Sequence, residues 1–195
     1  MNYYVVFGDS ITYGEKDFNG GWVQYLREWL KKDWVYNLGI DGDNSDGLVN
    51  RLEEELKRRR YPGHGLVVII AIGKNDSAWV YQKKQCWVPL DRYRKNLLEL
   101  VKQAKKYAPK IILVGPGPVD ETKTALMPGE PDLTYKNDLL KQYSQIAKKA
   151  AETEQVKFVD LFNQLPPEYI KTLADGAHPD AAGHRLIFKL IRSLN

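Results

Sequence analysis

The chain has one cysteine, Cys86, among 195 residues, so no intrachain disulfide is available and the fold must be held by its core. No stretch approaches the roughly 20 consecutive apolar residues that a membrane span requires. A leader is not evident either: the N-terminus has no charged region followed by a long apolar stretch and a small-residue cleavage site. The expectation is a cytoplasmic protein with no membrane partner. Charge of one sign is also scarce. Lys and Arg number 29 against 25 Asp and Glu, and the net charge of +4 is too small to argue for nucleic acid. The densest basic run, Lys57-Arg58-Arg59-Arg60, follows Glu53-Glu54-Glu55 and reads as a charged helix with cations near its C-terminal end. Histidine and cysteine are too few and too scattered for a zinc site, and no phosphate-binding lysine motif occurs. The acidic stretch Asp41 to Gly47 fails as a calcium loop. One frame places Gly42 at the first ligand position, and the other places Asp46 where glycine is required.

What remains has ordinary globular composition, 43% hydrophobic and 28% charged, at a length that suits one domain spanning 1–195. Five short apolar runs read as buried strands: Tyr3 to Phe7, Val35 to Leu38, Leu66 to Ile72, Ile111 to Val114 and Val156 to Val159. The third and fourth are nearly continuous Val, Ile and Leu, the pattern of strands covered on both faces. Helical periodicity fills the intervals at Gly21 to Lys32, Asp46 to Arg60, Leu90 to Tyr107, Thr134 to Glu152 and Ala181 to Leu194. Strand and helix alternate from end to end, which predicts an α/β fold with a five-stranded parallel sheet and helices on both faces. Two connections are unusually long, 77–89 behind the third strand and 115–133 behind the fourth. Compact domains favour connections of about 4–6 residues, and longer ones are often functional. Both leave the C-terminal edge of the sheet, where open α/β sheets bind ligands.

Polar, compact residues gather at that same edge. Gly8-Asp9-Ser10 follows the first strand, Asn37-Leu38-Gly39-Ile40-Asp41-Gly42 the second, and Gly73-Lys74-Asn75-Asp76 the third. Asp175-Gly176-Ala177-His178-Pro179 precedes the last helix. A serine hydroxyl is too weak an acid to attack an ester unaided. It needs an imidazole to take its proton, and the imidazole needs a carboxylate to hold its tautomer. Ser10, His178 and Asp175 supply these three types. Backbone N–H groups of Ser10 and Gly39, with the Asn75 amide, are candidate donors to a developing oxyanion.

These four blocks, in this order and spanning nearly the whole chain, resemble the SGNH (GDSL) hydrolase family. The resemblance implies a three-layer α/β/α sandwich of flavodoxin-like form, and hydrolysis of esters or thioesters without metal or cofactor. It implies Ser10 as nucleophile, His178 as base and Asp175 as its orienter, with the oxyanion hole formed by Ser10, Gly39 and Asn75. Lys74 falls at a variable position of the third block and nothing is carried over for it.

Each residue also has a plainer reading. Ser10 with Asp9 suits a helix cap, Asp175 a turn, and Asn44 or Ser45 the cap of the second long helix. Asp9 and Asp76 read as structural acceptors of backbone hydrogen bonds. His64, in Pro62-Gly63-His64-Gly65, reads as a solvated turn residue, and His184 as facing the core or a neighbouring loop. Trp79, Tyr81 and Trp87 either pack back over the helices or form a substrate platform for a sugar ring or acyl chain, with Leu126 and Met127 completing an apolar wall. Three functions compete: an esterase acting on a small-molecule ester, with lysophospholipid or acyl thioester as variants; a non-catalytic carbohydrate-binding module on the same fold; and a phospho-receiver built on Asp9 and Asp76. The receiver wants a lysine after the fifth strand, and Asp160 stands there. A short acyl group such as acetyl, on a carbohydrate or small alcohol, is the favoured substrate, because no Leu- and Phe-rich lid is present for a long chain.

Overall fold

The computed structural model describes residues 1–59, 61–124 and 132–193. The first half comprises β1 (Asn2–Gly8), α1 (Ser10–Tyr13), α2 (Gly21–Leu30), β2 (Trp34–Gly39), α3 (Ser45–Arg58), β3 (Gly65–Ala71), β4 (Trp79–Val80) and β5 (Gln85–Cys86). The second comprises α4 (Leu90–Lys105), β6 (Lys110–Val114), α5 (Glu121–Thr124), β7 (Leu133–Thr134), α6 (Asn137–Thr153), β8 (Lys157–Val159), α7 (Leu161–Gln164) and α8 (Ala181–Arg192), with a 3-10 turn at Pro167–Thr172 before the last helix.

The five predicted strands form a parallel sheet of order β2-β1-β3-β6-β8, the flavodoxin-like arrangement. Alternation along β1 and β3 separates two cores. Tyr3, Val5, Phe7, Val68 and Ile70 face Leu48, Leu52 and Leu56 of α3, Leu97, Leu100 and Val101 of α4, and Tyr143 of α6. Tyr4, Val6, Val67 and Ile69 face Trp22, Val23 and Leu26 of α2 and Ile187 and Ile191 of α8. This is the three-layer sandwich. Truncating a wholly buried leucine such as Leu52 to alanine costs about 2–5 kcal/mol.

Strand order reverses between β1 and β3, so the crevice at the C-terminal edge opens beside Gly8 and Ala71. The loops there are fixed by caps. Asn44 begins α3 by accepting from the N–H groups of Asp46 at 3.0 Å and Gly47 at 3.1 Å. Asp180 begins α8 by accepting from Ala182 at 2.9 Å and Gly183 at 3.1 Å.

The two long connections differ from plain loops. They pair with one another in a second, antiparallel sheet of order β5-β4-β7, in which Trp79 lies opposite Cys86 on one side and Thr134 on the other. The helix expected from Thr134 begins instead at Asn137. Thr134 is held in β7, where its hydroxyl donates to Thr124 O at 2.6 Å. Leu126, Met127 and Leu194 lie outside the described residues. No helix among the described residues is long and apolar enough to cross a membrane.

Candidate active site

Ser10 is the first residue of α1, placed at the exit of β1 by Asp9, whose carboxylate accepts from Ile11 N–H at 3.0 Å and so caps the helix. Ser10 Oγ stands 2.9 Å from His178 Nε2, across 168 residues of sequence. His178 Nδ1 stands 2.8 Å from Asp175 Oδ2. The other oxygen of Asp175 accepts from the backbone N–H groups of His178 at 2.8 Å and Ala177 at 2.9 Å. Partial burial pushes the Asp175 carboxyl up, but these backbone bonds and the imidazole outweigh it and hold the carboxyl below its ordinary 3.8. An ionised carboxylate only accepts, so Nδ1 carries the hydrogen and Nε2 is left to accept the Ser10 proton. The turn from Asp175 to His178 is thus both a local backbone motif and an imidazole mount.

The sequence singled out Gly39 as an oxyanion donor, and the structure gives its N–H a partner of its own. Gly39 N–H already donates to Asn37 Oδ1 at 3.0 Å. A Cβ at Gly39 would lie 2.2 Å from Tyr13 N, so glycine is required there by the close approach of α1. Gly42, three residues on, differs in every respect. It has φ +72, no atom within 4 Å of where a Cβ would stand, and an N–H with no acceptor among the described residues. It adjoins Asp43, whose carbonyl accepts from Asn75 Nδ2 at 2.8 Å.

Tyr135 fixes that amide. Its hydroxyl donates to Asn75 Oδ1 at 2.7 Å, so the amide faces one way and Nδ2 keeps a second hydrogen beyond the one given to Asp43. Sequence reasoning missed Tyr135, which lies 60 residues from Asn75 with no motif of its own. It also missed Arg51. This α3 residue bonds the Asp43 carboxylate at 2.7 and 2.9 Å and donates to Leu38 O at 2.9 Å, bracing the Asp43 turn against the end of β2. Asp43 is therefore committed to an ion pair.

Three titratable groups are buried beside the site. Both Asp76 oxygens accept from Ser45 N–H, at 3.0 and 3.2 Å, and burial pushes its carboxyl up to about 7. Burial also raises the Asp9 carboxyl, against the pull of Lys74, the Ile11 N–H and His178. Lys74 donates to Ala177 O at 3.0 Å, and burial pushes its ammonium down to about 8 despite Asp9 and Asp175 nearby. The other two histidines lie apart from Ser10. His184 is buried, with Nδ1 accepting from Trp22 N–H at 3.3 Å and Nε2 3.1 Å from Glu15 O. His64 is exposed. Asp160 caps α7 by accepting from Asn163 N–H at 3.2 Å. Of the loop aromatics, Trp79 and Trp87 are half-buried against the hydrophobic clusters, and Tyr81 is exposed.

A serine, an imidazole and a carboxylate bonded in line at the switch point of a parallel sheet are the arrangement that nucleophilic acyl transfer requires. The model of the GDSL-like lipase/acylhydrolase family matches residues 6–186, and the chain belongs to that family, as a carboxylic ester hydrolase. Among curated relatives, the isoamyl acetate-hydrolyzing esterase of Saccharomyces cerevisiae is 28% identical over 94% of this chain and 81% of its own length. The human isoamyl acetate-hydrolyzing esterase 1 homolog is 27% identical over 94% of this chain and 77% of its own. Among solved structures, an acetylxylan esterase from Geobacillus stearothermophilus superposes with TM-score 0.75 at 26% identity, covering 98% of this chain and 93% of that one.

Proposed function

We propose that the chain is a serine esterase acting on small-molecule esters of short acyl groups, such as acetyl on a carbohydrate or small alcohol, through an acyl-enzyme on Ser10. His178 Nε2 takes the Ser10 proton as Oγ attacks the ester carbonyl. Asp175 holds the imidazole and stabilises the imidazolium that forms. The oxyanion is received by Ser10 N–H, Gly42 N–H and the free hydrogen of Asn75 Nδ2. The tetrahedral adduct expels the alcohol, which takes the proton from His178. Water then loses a proton to His178, attacks the acyl carbon and releases the acid and Ser10. The observation that carries this reading is the bonded line from Ser10 through His178 to Asp175. The preference for short acyl groups is supported by relatives named for hydrolysing isoamyl acetate and by a structural neighbour named as an acetylxylan esterase.

The test is a chain-length series of p-nitrophenyl esters beside acetylated xylooligosaccharides, on wild type and Ser10→Ala. The expected result is hydrolysis falling steeply beyond short acyl chains, and loss of both turnover and fluorophosphonate labelling in Ser10→Ala. Labelling of a different residue, or turnover retained without Ser10, overturns the acyl-enzyme.

A further inference from the structure

Lys74 has no part in the reaction as written, yet it is built into the site from three directions. It adjoins Asn75, the amide offered to the oxyanion. Its Nζ bonds Ala177 O at 3.0 Å across 103 residues, in the turn that mounts His178. Ala177 gives its own N–H to Asp175 at 2.9 Å, so this one residue is gripped on both sides. Asp9, which caps the helix that Ser10 begins, interacts with the same ammonium through its charge. Lys74 and Asp9 are each 4% exposed and Ala177 1%. A buried ammonium is unfavourable unless opposite charge and hydrogen bonds compensate it, and an apolar side chain of the same length would fill the volume without that burden. Filling space does not explain why a cation stands here.

We propose that Lys74 is a positioning residue: its ammonium clamps the Asp175–His178 turn to the Asn75 segment. This rests on the acyl-enzyme reading above. The clamp makes two halves of the transition state one unit. The oxyanion donor lies next to Lys74 in sequence, and the base lies next to Ala177.

The experiment measures kcat and KM on a p-nitrophenyl ester, per active site titrated with a fluorophosphonate, for wild type, Lys74→Met and Lys74→Arg. Lys74→Met removes the clamp at similar length, and the expected result is about a tenfold loss in kcat, the order of one lost hydrogen bond, with little change in KM. Lys74→Arg keeps a cationic donor and restores most of the lost kcat. Counting titrated sites removes any unfolded fraction from the rate, and Lys74→Gln, which is too short to reach Ala177 O, carries the test if Lys74→Met does not fold. Full turnover in the uncharged variant, a loss that falls on KM instead, or no rescue by Lys74→Arg overturns the role of Lys74. Retained turnover in Ser10→Ala overturns the underlying reading instead, so the two failures are told apart.

Discussion

The rim of the parallel sheet is built in two ways. On one side, the Ser10 corner and the Asp175–His178 turn are short, and each is stiffened by its own backbone: Asp9 holds Ile11 N–H, and Asp175 holds the N–H groups of Ala177 and His178. On the other side, the excursions 77–89 and 115–133 are long, and each is stiffened by the other, through the β5-β4-β7 sheet. The first construction fixes the Ser10 hydroxyl and the His178 imidazole within bonding distance of each other. The second fixes Asn75 at a distance, because Tyr135, just beyond β7, reaches back to the amide at the exit of β3. The difference teaches that local hydrogen bonds suffice to place a nucleophile and base, whereas a side-chain donor on a longer arm needs support from a second arm.

That contrast is open to attack from either side. The largest effect is expected at the short side. Asp175→Asn leaves the turn sterically intact but favours the wrong imidazole tautomer, and kcat falls by about 10⁴, as in other serine triads. A loss below about tenfold, measured under single-turnover conditions, removes Asp175 from the orienting role. On the long side, Asn75→Ala deletes one oxyanion donor and lowers kcat by about 10²–10³ with KM little changed. Tyr135→Phe keeps the ring but frees the amide to rotate, and a lost hydrogen bond of about 1–1.5 kcal/mol corresponds to about a tenfold loss in kcat. A full-rate Tyr135→Phe enzyme would break the idea that the second arm orients the first. The smallest effect is on stability. The Asp76 carboxyl is raised from 3.8 to about 7 in the folded chain, so the folded state holds an extra proton between those values. Its contribution is complete below about pH 4 and is lost as pH rises through about 7. Asp76→Asn is expected to flatten the fall in melting temperature across that window, and an unchanged slope by calorimetry would place the raised carboxyl elsewhere.

The parallel sheet was legible because its strands are near-continuous apolar runs, and the layers followed from the alternation with amphipathic helices. The meeting of Ser10, His178 and Asp175 was legible because each stands where a strand ends or a helix begins, with the residue types that bond in that order. Gly39 and Gly42 were not separable. Two glycines three apart look alike in sequence, and only the packing of Tyr13 against one and open space at the other tells them apart. The strands β4, β5 and β7 have two residues each, too few to express a period of two. Tyr135, Arg51 and Lys74 act through contacts across 60, 8 to 43, and 103 residues, and nothing local to each marks the partner.

The small antiparallel clasp also constrains how this chain can change over generations. Two of its strands come from one crossover and the third from the other, so inserting one residue within a strand would slip the ladder and turn the side chains beyond it to the opposite face. Length changes on this half of the rim would therefore be accepted in compensating pairs, or at the hairpin tip between Val80 and Gln85, where the chain leaves the ladder before re-entering it. Variation in what lies over the crevice would then come by altered side chains and by growth of that tip, while the frame beneath keeps its count.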